Sequence, residues 1–323
     1  MSRPALSVIL LAPYGLDKLR NILHFLKRQT IADRVQVVIP TQPGVVLSRP
    51  IPELHSVRTV EVPHFTYAGP AKMLAIDAAD SELVAFAEDH CFPEPGWAEA
   101  LVEAHKEPHA AVSPWMGSVN PNRVWSASSF FNFLPSHSNE RGARTSLPTH
   151  NSCYKKQVLS QFGDRLGELL EMETAHLVPV LLSQGWTILH EPRARVWHLN
   201  IEKFQCFLIE QFYGGRHYGC IRAMEWSLRR RLLYAVGSVL IPALRLVRQG
   251  RSLIEYVPRK YWAAVMFGFL VNAFGEAFGY LGGMGRTCEA RMELECWRER
   301  YLIDQSQLLE FMVRRSWTDE TAS

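Results

Sequence analysis

Apolar runs alternate with helix-period stretches over roughly the first two thirds of the chain. Residues 6–11 (Leu-Ser-Val-Ile-Leu-Leu) read as a buried strand, and Ala12-Pro13-Tyr14-Gly15 reads as the loop that leaves it. Leu16, Leu19, Ile22, Leu23 and Leu26 then recur at helical spacing up to Gln29-Thr30. Residues 35–39 and 57–62 predict two further strands, and residues 70–79 predict a helix leading into an apolar strand that ends at Glu88. This alternation predicts an α/β fold, a mostly parallel sheet with helices on both faces.

The strand ending at Glu88 carries the chemistry. It runs directly into Asp89 and His90, and Pro93-Glu-Pro-Gly96 then stops it and aims Trp97 into a helix. Ligands of open α/β sheets bind beyond the carboxyl ends of the strands, where acidic groups can hold a divalent cation against a diphosphate. Acids in such turns also serve as solvated turn formers or helix caps, so the triplet alone leaves both roles open.

The segments in order make the pattern specific: Ser-Val-Ile-Leu-Leu at 7–11, Leu-Lys-Arg-Gln-Thr at 26–30, Gly-Pro-Ala-Lys-Met-Leu-Ala-Ile-Asp-Ala-Ala at 69–79, and Phe-Ala-Glu-Asp-His-Cys-Phe-Pro-Glu-Pro-Gly-Trp at 86–97. With His-Asn-Ser-Cys-Tyr-Lys-Lys at 150–156, the run at 184–196 and His198, the chain resembles glycosyltransferase family 2 over residues 5–200. The resemblance implies a GT-A fold that binds a nucleotide sugar at the strand ends and passes the sugar, with inversion, to an acceptor hydroxyl. It implies that Ala12, Pro13 and Tyr14 pack on the nucleotide, that Gly69, Ala71 and Lys72 run past its base, ribose and phosphates, and that Glu88 adjoins the donor. Asp89, His90 and His198 are then the candidates to hold a divalent cation, Mn or Mg, and His150, Asn151 and Ser152 form a loop facing the sugar or acceptor. Aligned on Gln184-Gly185-Trp186, Glu173 is the base that deprotonates the acceptor, with Glu171 second, both in the first turns of a helix predicted over 167–185.

Three positions depart from the family's pattern. His90 stands where an Asp usually meets the metal, Pro40-Thr-Gln-Pro replaces the usual Asp-Asp-Gly-Ser, and Thr174 replaces the second acid after Glu173. Imidazole ligates Mn²⁺, whereas Mg²⁺ prefers oxygen, so His90 alters the metal preference or leaves the direct contact to Asp89. These departures keep open a catalytically degenerate nucleotide-sugar-binding or scaffold protein, and a nucleotidyltransferase would use a similar sheet and acidic strand end, although the Gly-rich loop usual after its first strand is absent.

Composition bears mainly on the last third. The net charge of +3 suggests no nucleic-acid partner, and the 47% hydrophobic content of 323 residues suffices for a catalytic domain at 1–200 and a helical region at 201–323. In that region Arg229, Arg230, Arg231, Arg245, Arg248, Arg251, Arg259 and Lys260 flank apolar segments at 232–244 and 261–283. The first segment is short for a bilayer span, which takes about 20 apolar residues, and the glycines of the second fall near the spacing that lets helices approach closely. Together they predict in-plane or re-entrant association with an anionic membrane surface on the cytoplasmic face, the alternative being a helical hairpin buried on the catalytic domain. The partners expected are a nucleotide-sugar donor and a glycan or lipid-linked acceptor. No signal-peptide pattern precedes the first strand, six cysteines without a Cys-x-x-Cys pair predict free thiols, and residues 289–315 predict an amphipathic terminal helix.

Overall fold

The long apolar runs of the first half become strands covered on both faces. The computed structural model describes residues 3–315 apart from 48–49, 64, 66, 148–150 and 172–175. Its strands are β1 (Leu6–Leu10), β2 (Val35–Thr41), β3 (Ser56–Glu61), β4 (Leu83–Ala87), β5 (Cys91–Pro93), β6 (Ala111–Ser118), β7 (Gly142–Arg144), β8 (Cys153–Lys155) and β9 (Ile188–His198). They form one nine-stranded sheet in the order β3-β2-β1-β4-β8-β6-β9-β5, with β7 added on β9. Val8 of β1 pairs in parallel with Val37 on one side and Ala85 on the other. Successive side chains point to opposite faces. Val8 and Leu10 therefore join a core with Ile22, Leu26, Trp97 and Leu101, while Ile9 joins Phe86, Tyr154, Leu159 and Leu181 on the other face.

The helices of the first two thirds are α1 (Arg20–Leu26), α2 (Ala68–Ala78), α3 (Trp97–Ala104), α4 (Val124–Phe130), α5 (Lys156–Ser160), α6 (Leu166–Leu169) and α7 (Leu177–Ser183). The single helix predicted over 167–185 is thus two short ones. Pro179 lies in the first turn of α7, where its missing N–H costs nothing; further inside a continuous helix it would remove a bond and clash. The parallel reading holds for β3-β2-β1-β4 and for β6-β9, whereas β8 runs antiparallel to β4 and β6, and β5 and β7 antiparallel to β9. Each of those three strands has only three residues, too few to show a period.

The last third is helical: α8 (Phe204–Arg222), α9 (Leu228–Gly237), α10 (Ile241–Tyr256), α11 (Trp262–Gly282), α12 (Thr287–Cys296) and α13 (Ser306–Arg314). A 3-10 turn joins α9 to α10, so the stretch Leu228–Tyr256 is helical throughout and only 11% buried over its most apolar window. Arg259–Gly282 is a second helix long and apolar enough to cross a membrane, but it is 56% buried over its window. Its inner face lies against α8, in parallel: Gly268 meets Phe207, and Gly275 and Gly279 meet the backbone at Phe212 and Arg216. A Cβ on Gly275 would stand 2.1 Å from the Phe212 carbonyl oxygen, so only glycine allows this approach. Asn272 and Glu276 face the same seam, where Asn272 donates to the Gln211 carbonyl at 3.0 Å and Tyr280 donates to Glu276 at 3.0 Å. The amphipathic terminal segment is broken in two: α12 packs against α8, and α13 seats Phe311 on Phe25 and Phe92 beneath the sheet edge.

Candidate functional site

β4 ends at Ala87 and releases Glu88, Asp89 and His90 at the carboxyl edge of the sheet, and β5 turns back so that Cys91 is the register partner of His198 at the end of β9. Two strand ends therefore bring together residues more than a hundred positions apart. Ligand atoms of Glu88, His90, Cys91 and His198 all lie within 4.8 Å of one another. The rings of His90 and His198 meet edge to face at 5.0 Å.

Hydrogen bonds fix how each ring is presented. A carboxylate can only accept, so the 2.8 Å contact with Asp89 Oδ1 makes His90 Nδ1 the donor, and in the neutral ring the lone pair is then on Nε2. Asn200 spends its amide N–H on Ser118 Oγ at 3.0 Å, so its Oδ1 accepts from His198 Nδ1 at 2.9 Å, and that Nε2 also keeps its lone pair. Asn120 holds Asn200 from both sides, through its amide and its carbonyl oxygen. Buried His90 Nε2 has no hydrogen-bond partner, 3.7 Å from Glu88 Oε2 and 3.5 Å from Glu295 Oε2. Imidazoles tied at Nδ1 to an oxygen acceptor, with Nε2 bare, are the usual dress of metal-ligating histidines, so the residues fit a divalent cation. Asp89 takes part here through His90.

The electrostatics reflect burial. Desolvation pushes Glu88 above the carboxylate range, with His90 pulling the other way. Burial also pulls His90 down, but Glu88 and Asp89 outweigh it and hold the ring above its ordinary value. His198 is pushed well below its own by burial and by His90, and so is neutral. Burial raises the Cys91 thiol well above its ordinary value, and its S–H donates to Glu88 at 3.1 Å. Asn151, in the left-handed region at φ 64°, turns its amide onto the same Glu88 oxygen at 3.3 Å.

A cavity of about 100 Å³ opens beside this cluster, and α12 forms its outer wall with Cys288, Arg291, Met292, Glu295 and Cys296. Next to it the buried guanidinium of Arg298 lies between Glu210 at 2.9 Å and Glu295 at 2.6 Å; burial pulls its pKa down, and these carboxylates with Glu88 raise it further. Trp297 closes the rim on Tyr14, with ring centres 5.4 Å apart, and Lys18 and Arg300 lie over its ring.

Of the residues singled out from sequence, Lys72, Glu88, Asp89, His90 and Glu171 line the cavity, and His198 stands against His90. Ala12, Pro13, Gly69, Ala71 and Ser152 are buried and do not line it, and Tyr14 is half exposed on Trp297. Gly69 has a packing duty: a Cβ there would lie 1.9 Å from the Gly167 carbonyl oxygen, and its N–H donates to Glu171 at 2.9 Å. Glu173 and His150 lie outside the described residues. Sequence reasoning missed Cys91, His217, Arg291, Glu295 and Arg298. Cys91 adjoins the triplet and could have been included; nothing local marks the others.

Residues 51–162 match the family model Glycosyl transferase family 2. Among solved structures, the chain is similar to the mannosyltransferase PcManGT from Pyrobaculum calidifontis in complex with GDP-Man and Mn²⁺, with a TM-score of 0.56 at 15% identity over 85% of this chain and 88% of that one. It also matches GalNAc-T7 with UDP, GalNAc and Mn²⁺, at a TM-score of 0.45 and 13% identity over 60% of this chain and 43% of that one. No curated protein matches the chain. The fold is that of the GT-A glycosyltransferases.

Proposed function

From a family 2 glycosyltransferase segment at residues 51–162 within a GT-A fold, we propose that this chain transfers a sugar, with inversion, from a nucleotide-sugar donor to an acceptor hydroxyl on a lipid-linked or surface-polysaccharide acceptor. The observation that carries the reading is the convergence of Glu88, His90 and His198 at the carboxyl edge of the sheet, with both imidazoles presenting bare Nε2 atoms. A divalent cation held there would neutralise charge developing on the leaving diphosphate. The protein's own part is to hold the ligands in one protonation state through Asp89 and Asn200, and to keep water away behind α12. Glu173 is proposed to take the acceptor's hydroxyl proton as that oxygen attacks the anomeric carbon. Glu171 is committed to the Gly69 N–H, which leaves it less suited to that role. Pockets for ligands of this size measure about 300 Å³ or more, so a cavity of about 100 Å³ has to widen to admit a donor.

A membrane setting suits the exposed apolar face. Leu233, Val236, Val239 and Leu240 are more than half exposed, next to Arg229, Arg230 and Arg231, and Phe274 of α11 also faces outward. We place the chain on the cytoplasmic membrane surface, with α9 and α10 in the plane of the headgroups.

The test is a thermal-shift and calorimetric screen of UDP-, GDP- and dTDP-sugars with Mn²⁺ or Mg²⁺, followed by turnover of the binder. One donor should bind in a cation-dependent manner, and Glu173→Gln should keep that binding while losing about 10²-fold or more in turnover. Binding without turnover in the unsubstituted chain would establish the scaffold reading, release of pyrophosphate the nucleotidyltransferase one, and failure of every donor to bind would end the proposal.

A further inference from the structure

His90 stands where the family's pattern has an Asp, so the sheet edge offers one carboxylate fewer. A different element brings one back. Glu295, in the last turn of α12, lines the cavity and sets its Oε2 3.5 Å from His90 Nε2, and Glu88 Oε2 lies 3.7 Å from the same nitrogen. Both separations are longer than N–H···O bonds, and the buried Nε2 has no hydrogen-bond partner. Two ligand atoms each about 2.1 Å from one ion stand about 3 Å apart at a right angle and about 4 Å apart when opposite. Separations of 3.5 and 3.7 Å are therefore those of atoms that share an ion.

The carboxylate of Glu295 is presented by its neighbours. Arg298 Nη2 donates to its Oε2 at 2.6 Å, and the same guanidinium donates through Nη1 to Glu210 at 2.9 Å. Arg291 lies 4.0 Å from Oε1. A carboxylate has about four lone-pair sites, so Oε2 serves a guanidinium and an ion together. Glu295 is not among the four residues whose ligand atoms lie within 4.8 Å of one another, but its stem has three rotatable bonds, and a change of rotamer closes that gap.

A second trio meets the distance criterion and fails on chemistry. Glu171, His217 and Cys288 also have ligand atoms within 4.8 Å of one another. Arg291 can only donate, and its Nη1 is 2.8 Å from His217 Nδ1, so the ring proton sits on Nε2, the nitrogen 4.0 Å from Glu171 Oε1. An N–H has no lone pair for a metal. Burial, helped by Glu171, pushes the Cys288 thiol up to about 12, so it brings no negative charge.

We propose that Glu295 joins Glu88, His90 and His198 as a ligand of the divalent cation, so that the ion fastens α12 to the end of β4. A helix far outside the family-matched segment thereby replaces the carboxylate that His90 displaced. Two imidazoles with two carboxylates suit Mn²⁺, whereas Mg²⁺ favours an all-oxygen set. The ion's part in sugar transfer rests on the reading above; the ligand set does not.

Calorimetric titration of the full chain with Mn²⁺ and with Mg²⁺, each without nucleotide and with UDP or GDP present, tests the set. The unsubstituted chain should bind Mn²⁺ more tightly than Mg²⁺ by about tenfold or more. Glu295→Gln keeps the size and an oxygen for Arg298 but not the charge, and should weaken Mn²⁺ by about tenfold or more. Glu295→Asp keeps the charge with a shorter reach; it should also bind Mn²⁺ more weakly than the parent, and it covers the case in which Glu295→Gln does not fold. Alkylation of Cys288 and Cys296 on α12, followed by peptide mass, should slow on adding Mn²⁺ to the parent and stay unchanged in Glu295→Gln. A folded Glu295→Gln protein that binds Mn²⁺ as tightly as its parent overturns Glu295 as a ligand and leaves the glycosyltransferase reading standing. Mg²⁺ bound as tightly as Mn²⁺ overturns the two-imidazole set, and alkylation that bound Mn²⁺ does not slow overturns the fastening of α12. Glu295-dependent Mn²⁺ binding in a chain that binds no nucleotide sugar upholds the ligand set and overturns the donor reading. A parent that binds neither ion, with or without nucleotide, overturns both the ligand set and cation-assisted transfer.

Discussion

At the scale of single residues, the site depends on which nitrogen of each histidine carries the proton. Asp89 and Asn200 settle this for His90 and His198, and Arg291 settles it the opposite way for His217. The same side chain thus offers an Nε2 lone pair at one end of the cavity and an Nε2–H at the other. Removing the imidazole in His198→Ala should lower Mn²⁺ affinity, measured by calorimetry with the donor nucleotide present, by about tenfold or more. Cys91→Ser keeps a donor to Glu88 and should cost much less. Equal, unchanged affinities would mean that the cation is not held by this pair. The triplet at 88–90 was legible because a strand runs straight into it; that His90 leans on Asp89 was not, since neighbours in sequence need not face each other.

At the scale of elements, the seam between α8 and α11 explains why an apolar segment carries so many glycines. Gly275→Ala would drive a Cβ into the Phe212 carbonyl, and because both partners are backbone, relief requires moving a helix. The expected loss is about 1–3 kcal/mol in urea melts. Gly250 in α10 has open space around its Cβ position, so Gly250→Ala should be neutral or stabilising by up to about 1 kcal/mol. A Gly275→Ala protein as stable as its parent would show that the two helices do not approach this closely. The glycine spacing pointed to a close helix contact in advance, but the identity of the partner as α8, running in parallel, came only with the fold.

For the whole molecule, the distribution of apolar surface is lopsided. The sheet is sealed on both faces, whereas α9 and α10 turn Leu233, Val236, Val239, Leu240 and Val247 outward. Arg230 lies over the Trp226 ring at 4.1 Å and Arg231 donates to the Trp226 carbonyl, which places an aromatic group and basic charge together at one end of that face. Each basic residue near an anionic surface contributes about 1 kcal/mol, so replacing Arg229, Arg230 and Arg231 with Gln should weaken sedimentation with phosphatidylserine-containing vesicles by about two orders of magnitude. The parent's binding should also fall with added salt. A parent that ignores such vesicles at low salt would mean that another surface covers these helices.

The sequence by itself determined the parallel strands β1 to β4, the helix ahead of the acidic strand end, and the place where chemistry would occur, because those features are local: an apolar run, a period, a triplet after a strand. It also marked α11 as a helix made for close packing. The short strands β5, β7 and β8 and the restart of α7 at Leu177 depended on partners supplied from elsewhere in the chain. So did the second half of the site. His198 meets Cys91 only through an antiparallel register, and His217 and Arg291 reach the cavity only because α8 and α12 fold back over the sheet edge. An arginine on an exposed-looking, charge-rich helix and one walling a buried cavity have the same local pattern. Only the packing that removes water from around it decides what its charge can do.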